Sequence, residues 1–427
     1  MSAAAPPVAP IRHLGRLRLV AIGINSVVGG GIFVLPAIVA ARLGTASIAA
    51  YLLAGLVVIG VGLSLGILAG RYERSGGPYE YVRQAFGGFW GFQAGWLFCL
   101  ARLTAMASLL NAFARYVGEL LPGGRGLPVR AGLVAIAATF VIATNIAGIR
   151  HTSAATNLLA AVKIAPLLLL GGAGLFFVRP GAFPWEGFAP SDMMRAVLLL
   201  IFAFSGFEIL TVPAEESLRP RRDMPVALIA TVLCVCGIYL LVHVAMLGML
   251  DDLARRTAPL AAAAALIAGT AGGWFMTAAA AISTAGCSLA SMVGGSRTLY
   301  AMAATRQVPA WTGCLHPALR TPVAGTLLLG LPGAALAVWG RYEWLSAISA
   351  GTRLLVYLAC CLACLRAGGA GGGGRVVAAL TAVAVTALLT ALEPTEVVAG
   401  MIGLGIGMVL YLAARRARAA AEGGAAR

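Results

Sequence analysis

Four ionisable residues stand inside apolar runs: Lys163 in NLLAAVKIAPLLLL, Arg102 in LFCLARLTAMAS, Glu208 in LLLIFAFSGFEIL and Arg353 in AISAGTRLLVYLACC. A charge at the centre of a bilayer costs about 2.5–3.5 kcal/mol on insertion scales, so each needs a partner or a task. Lys163 is the single lysine among 31 Lys+Arg. Lysine is the basic side chain that can release its proton when buried, whereas arginine stays charged. Lys163 is therefore a candidate for taking up and releasing a proton; otherwise it stays charged against a carbonyl or snorkels to the interface. Glu208 either accepts N–H bonds from irregular backbone or titrates during gating. Arg102 either pairs with Glu208 or recognises a polar or acidic ligand group. For Arg353 the sequence offers only helix packing against carbonyls.

Uncharged groups accompany them. Thr284, Ser288 and Ser291 recur at i, i+4 and i+7, which places them on one helical face. That stripe either lies beside Lys163 or bonds only to its own helix backbone. Phe202 and Phe204 flank Ser205 and Gly206, and Trp96 and Phe98 precede Arg102. An aromatic beside a midplane site can close over a ligand, although packing is the commoner use.

These side chains need elements that hold them at one depth. Residues 19–42, LVAIGINSVVGGGIFVLPAIVAAR, are long enough to cross a bilayer but carry Gly29, Gly30 and Gly31 in the middle. Glycine costs a helix about 1 kcal/mol per residue relative to alanine. Irregular backbone within a membrane survives only where it is buried in protein or lines a cavity. Such a break suits a zwitterion: an anionic end against the N–H groups that open the second half-helix, a cationic end against the carbonyls that close the first, near Ile24 to Val28. The alternative is a glycine-rich packing seam.

The rest of the chain has the same character. It has 427 residues, 60% hydrophobic and 11% charged, with mean hydropathy +0.92. Apolar segments fall near 19–42, 46–70, 89–116, 131–148, 154–178, 193–214, 225–249, 272–302, 322–340, 344–365, 376–392 and 395–414. This predicts an all-α polytopic membrane protein with about 12 transmembrane helices and no large soluble domain. RYERSGGPYEYVRQAFGG reads as a loop, and the alanine-rich 260–268 as a short surface helix. The net charge of +16 is spread over short loops, which argues against nucleic acid. Cys361 and Cys364 form a CxxC without a second pair or a histidine cluster, so neither a metal nor a cofactor is expected. Arginines precede the first span, but that span is too long for a signal peptide. Most Lys+Arg fall on the side of the N-terminus, which places both termini in the cytoplasm.

Ser205-Gly206-Phe207-Glu208 interrupts the sixth span, with Pro213 beyond it. Spans 1 and 6 are thus both broken, five spans apart. An odd offset inserts the second set of five upside down, and paired breaks at matching positions point to a transporter site. The predicted divisions are an N-terminal tail 1–18, a first repeat 19–178, a second 193–365, two further spans in 376–414 and a C-terminal tail 415–427.

GGGIFVLPAIVAARLG, SGGPYEYVRQAFGGFWGFQAGW, FAFSGFEILTVPAEESLRPRRDMPVAL and SRTLYAMAATRQVPAWTGCLHPALRTPVAG occur in this order. Together they resemble the amino acid–polyamine–organocation permeases over nearly the whole chain. The resemblance implies the five-plus-five inverted repeat of the leucine-transporter type, with helices 1 and 6 broken, and amino acid transport by alternating access. It also favours Lys163 as the proton switch, since some members carry a lysine in span 5 where sodium-coupled relatives hold a cation. It places Arg102 on the part of span 3 that faces the substrate side chain, and raises Phe202 as a lid. The expected function is a plasma-membrane permease that moves a zwitterionic amino acid with protons. Gly29, Gly30 and Gly31 amides hold the carboxylate, and carbonyls near Ile24, Phe202 and Ser205 hold the ammonium, with Gly206 and Phe98 alongside. Lys163, Glu208, Ser288 and Ser291 form the proton-coupling set. An exchanger without proton coupling is the rival within transport. A membrane-embedded enzyme or sensor is the rival outside it, weakened by four dispersed histidines and the lack of an output domain.

Overall fold

The computed structural model of the chain describes residues 15–72, 77–121, 123, 126–148, 153–184, 187–211, 218–367 and 371–425. Residues 1–14 of the expected N-terminal tail, His151 and Pro213 lie outside the described residues. An apolar segment in lipid can satisfy its N–H and C=O groups only within itself, so it folds as a helix. Helices cover each of the twelve apolar segments. They are α1 (Arg16–Val27) and α2 (Gly30–Leu43), which share the first segment, then α3 (Ser47–Arg71), α5 (Gly88–Gly118), α6 (Leu127–Ala147), α7 (Ser153–Gly174), α8 (Pro190–Phe204), α9 (Pro220–Met249), α10 (Pro259–Ala304), α11 (Val323–Trp339), α12 (Tyr342–Arg366), α13 (Gly372–Leu389) and α14 (Pro394–Ala425). Among the described residues, eight stretches are long and apolar enough to cross a membrane, and Val162–Phe177 and Val323–Trp339 are shorter apolar helices.

Three details depart from the sequence expectation. The segment read as a loop between α3 and α5 contains α4 (Gly77–Phe86), whose Tyr79, Glu80, Tyr81 and Val82 are buried. A short amphipathic helix is easily masked by the Gly-Gly-Pro that opens it. The alanine-rich 260–268 is the first part of α10, kinked where Gly269 has φ +61°, and it buries Leu260, Ala263 and Ala264 rather than lying free on the surface. Helix α14 runs on to Ala425 through residues expected as a tail, in keeping with the high helix propensity of its Ala and Arg residues.

The centre is built from the broken segments. Helix α1 packs on α9, α2 on α8, and α5 runs between α10 and α12. Helices α13 and α14 sit at the periphery, where Leu380, Val383, Met401, Ile402 and Val409 are exposed. Lipid tails are as apolar as these side chains, so such faces need no protein cover.

Candidate functional site

Both interruptions are real breaks in the helical ladder. Helix α1 ends at Val27, where the Val28 N–H closes on the Ile24 carbonyl at 2.9 Å. Val28 and Gly29 are extended, and α2 opens at Gly30. Helix α8 ends at Phe204, Ser205 is extended, and Gly206 takes φ +118° before a tight turn over Phe207–Thr211. The two breaks touch one another. A Cβ on Gly206 would lie 2.5 Å from the Ser26 carbonyl oxygen, and one on Gly31 would lie 2.5 Å from the Ala203 Cα. Glycine is required at both positions by this close approach, and at Gly206 by its φ as well.

Tyr239 of α9 ties the two ends together. Its buried hydroxyl lies 3.2 Å from the Val27 carbonyl oxygen and 3.1 Å from that of Ala203. The Gly29 N–H faces the same hydroxyl oxygen. These carbonyls close α1 and α8, so one side chain serves the negative ends of two half-helices.

A cavity of about 40 Å³ lies between the breaks. Ser26, Gly29, Gly30, Gly31, Phe202, Ser205 and Gly206 line it, with Arg102, Cys287, Ser291 and Arg353. At about 10–15 Å³ of such space per water, it has room for about three or four waters. A ligand larger than that needs the helices to part.

Beside this cavity, Glu208 sits under two guanidinium groups. Its Oε1 pairs with Arg353 Nη1 and, at 3.3 Å, with Arg102 Nη2. Its Oε2 accepts the Gly206 N–H at 2.9 Å and the Tyr357 hydroxyl at 3.1 Å. Glu208 and Arg353 are each 1% exposed and Arg102 6%. The carboxylate therefore holds the α8 break in shape, and Arg102 does pair with it. The expectation for Arg353 is corrected: it meets a carboxylate rather than packing against carbonyls. Its partner lies 145 residues away in sequence, so no local signal marks it. The Arg102 guanidinium also stands 4.8 Å from the centre of the Phe98 ring.

Lys163 approaches the same centre from α7. Its Nζ lies 3.5 Å from the Asn25 carbonyl oxygen and 3.4 Å from Cys287 Sγ, and the residue is 5% exposed. Among the described residues no salt bridge holds it. The neighbourhood of the first break agrees with expectation, but the α10 group nearest the ammonium is Cys287. Ser288 instead gives its proton to the Thr284 carbonyl, and Thr284 to that of Ala280. Of the polar stripe, only Ser291 reaches the cavity. Phe98 and Ile24 do not line it; Ile24 uses its carbonyl to close α1, and Phe98 backs Arg102. Tyr239, Tyr357 and Cys287 were not singled out from the sequence, because nothing distinguishes one tyrosine or cysteine in a span from the next.

Residues 14–369 match the family described as Amino acid permease. Over 427 aligned residues the chain is 31% identical to an uncharacterized transporter of Mycobacterium tuberculosis, covering 95% of this chain and 93% of that one. It is 27% identical to a serine/threonine exchanger of Bacillus subtilis, over 73% of each chain. It is also 27% identical to a branched-chain amino acid permease of the same organism, over 76% of this chain and 74% of that one.

Proposed function

Because this chain belongs to the amino acid permease family, a family of multi-pass membrane transporters rather than enzymes, we propose that it is a secondary active permease for a zwitterionic α-amino acid in the plasma membrane, driven by protons and working by alternating access. The observation that carries this is the meeting of two half-helix breaks at one cavity. The start of α2 offers N–H groups at Gly30 and Gly31 to a carboxylate. The ends of α1 and α8 offer carbonyls at Ser26, Val27, Phe202 and Ala203 to an ammonium. The breaks lie five spans apart, which supports a five-plus-five inverted repeat. The twelve apolar segments support twelve spans, and the Lys+Arg bias supports both termini in the cytoplasm. Phe202 lines the cavity and closes over the bound substrate.

Lys163 is the coupling group in this proposal. Protonated, it holds the Asn25 carbonyl and steadies α1. Neutral, it keeps only a weaker, uncharged N–H bond to that carbonyl, and α1 is freed to swing. Glu208 stays a fixed anion, and Ser288 takes no part because its proton is committed to its own helix. A second mode is exchange of one amino acid for another without protons, which the name of the Bacillus subtilis exchanger supports.

Proteoliposome uptake of a labelled amino acid mixture separates the two. Wild type is expected to accumulate label against a gradient when protons are driven inward, and Lys163→Gln to lose that accumulation. Uptake that ignores the proton gradient but requires internal amino acid would replace symport with exchange. Absence of uptake for every amino acid would overturn transport of this class.

A further inference from the structure

The cavity is electrostatically unbalanced. Two guanidiniums, Arg102 and Arg353, line it, and Glu208 is the one carboxylate that pairs with either among the described residues. Arginine does not lose its proton in a protein, so one positive charge remains in excess. Tyr357 and Gly206 give neutral bonds to Glu208 and compensate nothing. The Phe98 ring under Arg102 attracts the cation but does not neutralise it. Lys163 adds a second excess charge whenever it is protonated, while the positive end of α2 is offset by the negative ends of α1 and α8, so the excess is that of the side chains. The Nε atoms of Arg102 and Arg353 are buried without a partner. A buried charge left without its counter-charge is strongly unfavourable, so the site is built to receive an anion.

We propose that the substrate carries a second carboxylate, so that the permease takes acidic amino acids, with the side-chain carboxylate bound by Arg102 and the cavity-lining Arg353 guanidinium. This rests on the transport function proposed above. The α-carboxylate and ammonium use the helix ends, which any amino acid presents. The side-chain carboxylate then meets Arg102 from α5, and planar two-toothed pairing distinguishes a carboxylate from an amide of the same shape. Gly294 leaves room on α10 for the guanidinium, since a Cβ there would stand 3.3 Å from its Nε. Basic substrates face repulsion from the same residues.

The test compares labelled L-glutamate with labelled L-glutamine, which differ by one charge and hardly at all in shape, in proteoliposomes made in chloride-free isethionate. Glutamate is expected to enter about 10- to 100-fold faster at low concentration. Arg102→Gln is expected to bring the ratio near one, while Arg353 continues to hold Glu208. If that variant does not fold, the wild-type ratio decides alone. Preference for glutamine, or uptake confined to neutral or basic amino acids, overturns the inference and leaves amino acid transport standing. Neutral uptake that appears only when chloride is restored also overturns it, and assigns the positive charge to an inorganic anion. No uptake of any amino acid overturns the transport function itself.

Discussion

Among the described residues, two ion-paired clusters of arginine and glutamate are charged in opposite senses. At the rim where α2 ends, Arg195 is gripped by both oxygens of Glu396 at 2.6 Å and lies 3.3 Å from Glu393. Arg42 pairs there with Glu343, 3.9 Å from Arg195 Nη2. Carboxylates outnumber guanidiniums, and Glu393 and Glu343 reach solvent. At the centre, two guanidiniums share one carboxylate and all three are buried. Arg195 leaves its Nε unpartnered just as Arg102 and Arg353 do, so a spare nitrogen does not separate the two places. Charge and access to water do. Arg195 and Glu396 are themselves buried, but Glu343 and Glu393 open the rim to water, whereas the centre has only what the helices bring.

Glu208→Ala attacks the centre hardest. It strands two buried guanidiniums and is expected to cost about 3–5 kcal/mol. Thermal unfolding in detergent measures this, and a melting temperature equal to wild type would dissolve the distinction between the clusters. Gly31→Ala is next. The added methyl meets the Ala203 backbone, an overpacking of about 1–3 kcal/mol, and wedges the breaks apart. Transport is expected to fall further than stability, which parallel uptake and melting curves reveal.

At the rim, Arg42→Gln is expected to cost about 0–1 kcal/mol, because its pair with Glu343 is partly exposed. The difference should shrink further in high salt. A loss matching that of Glu208→Ala would show that the rim also carries the fold. Ser288→Ala is the smallest change, below about 0.5 kcal/mol and with unchanged proton dependence, since its hydroxyl serves only its own helix. A shifted pH profile of uptake would return Ser288 to the coupling site.

What the sequence made legible was whatever a single segment can express. Hydropathy marks a span by itself, and Gly29-Gly30-Gly31 and Ser205-Gly206 announce breaks without reference to any neighbour. Arg353 was opaque because its meaning lies in Glu208, a helix from another part of the chain. Thr284 and Ser288 misled for the converse reason. Their spacing is that of a polar face, but the same spacing lets each hydroxyl reach the carbonyl one turn back, and the helix consumed them. Helix α4 was hidden by the Gly-Gly-Pro at its start, although its buried Tyr79, Glu80, Tyr81 and Val82 hold it in place.

Tyr239 has one proton and two carbonyls within reach, those of Val27 and Ala203. A hydroxyl cannot fully satisfy both at once. At each instant one half-helix end is left with an open lone pair facing a cavity that Val27 and Ala203 both line. The ring thus stands between the two helix breaks with a donor for one of them at a time. An arriving ammonium would supply the donor that Tyr239 alone lacks, and both ends would then be satisfied together for the first time.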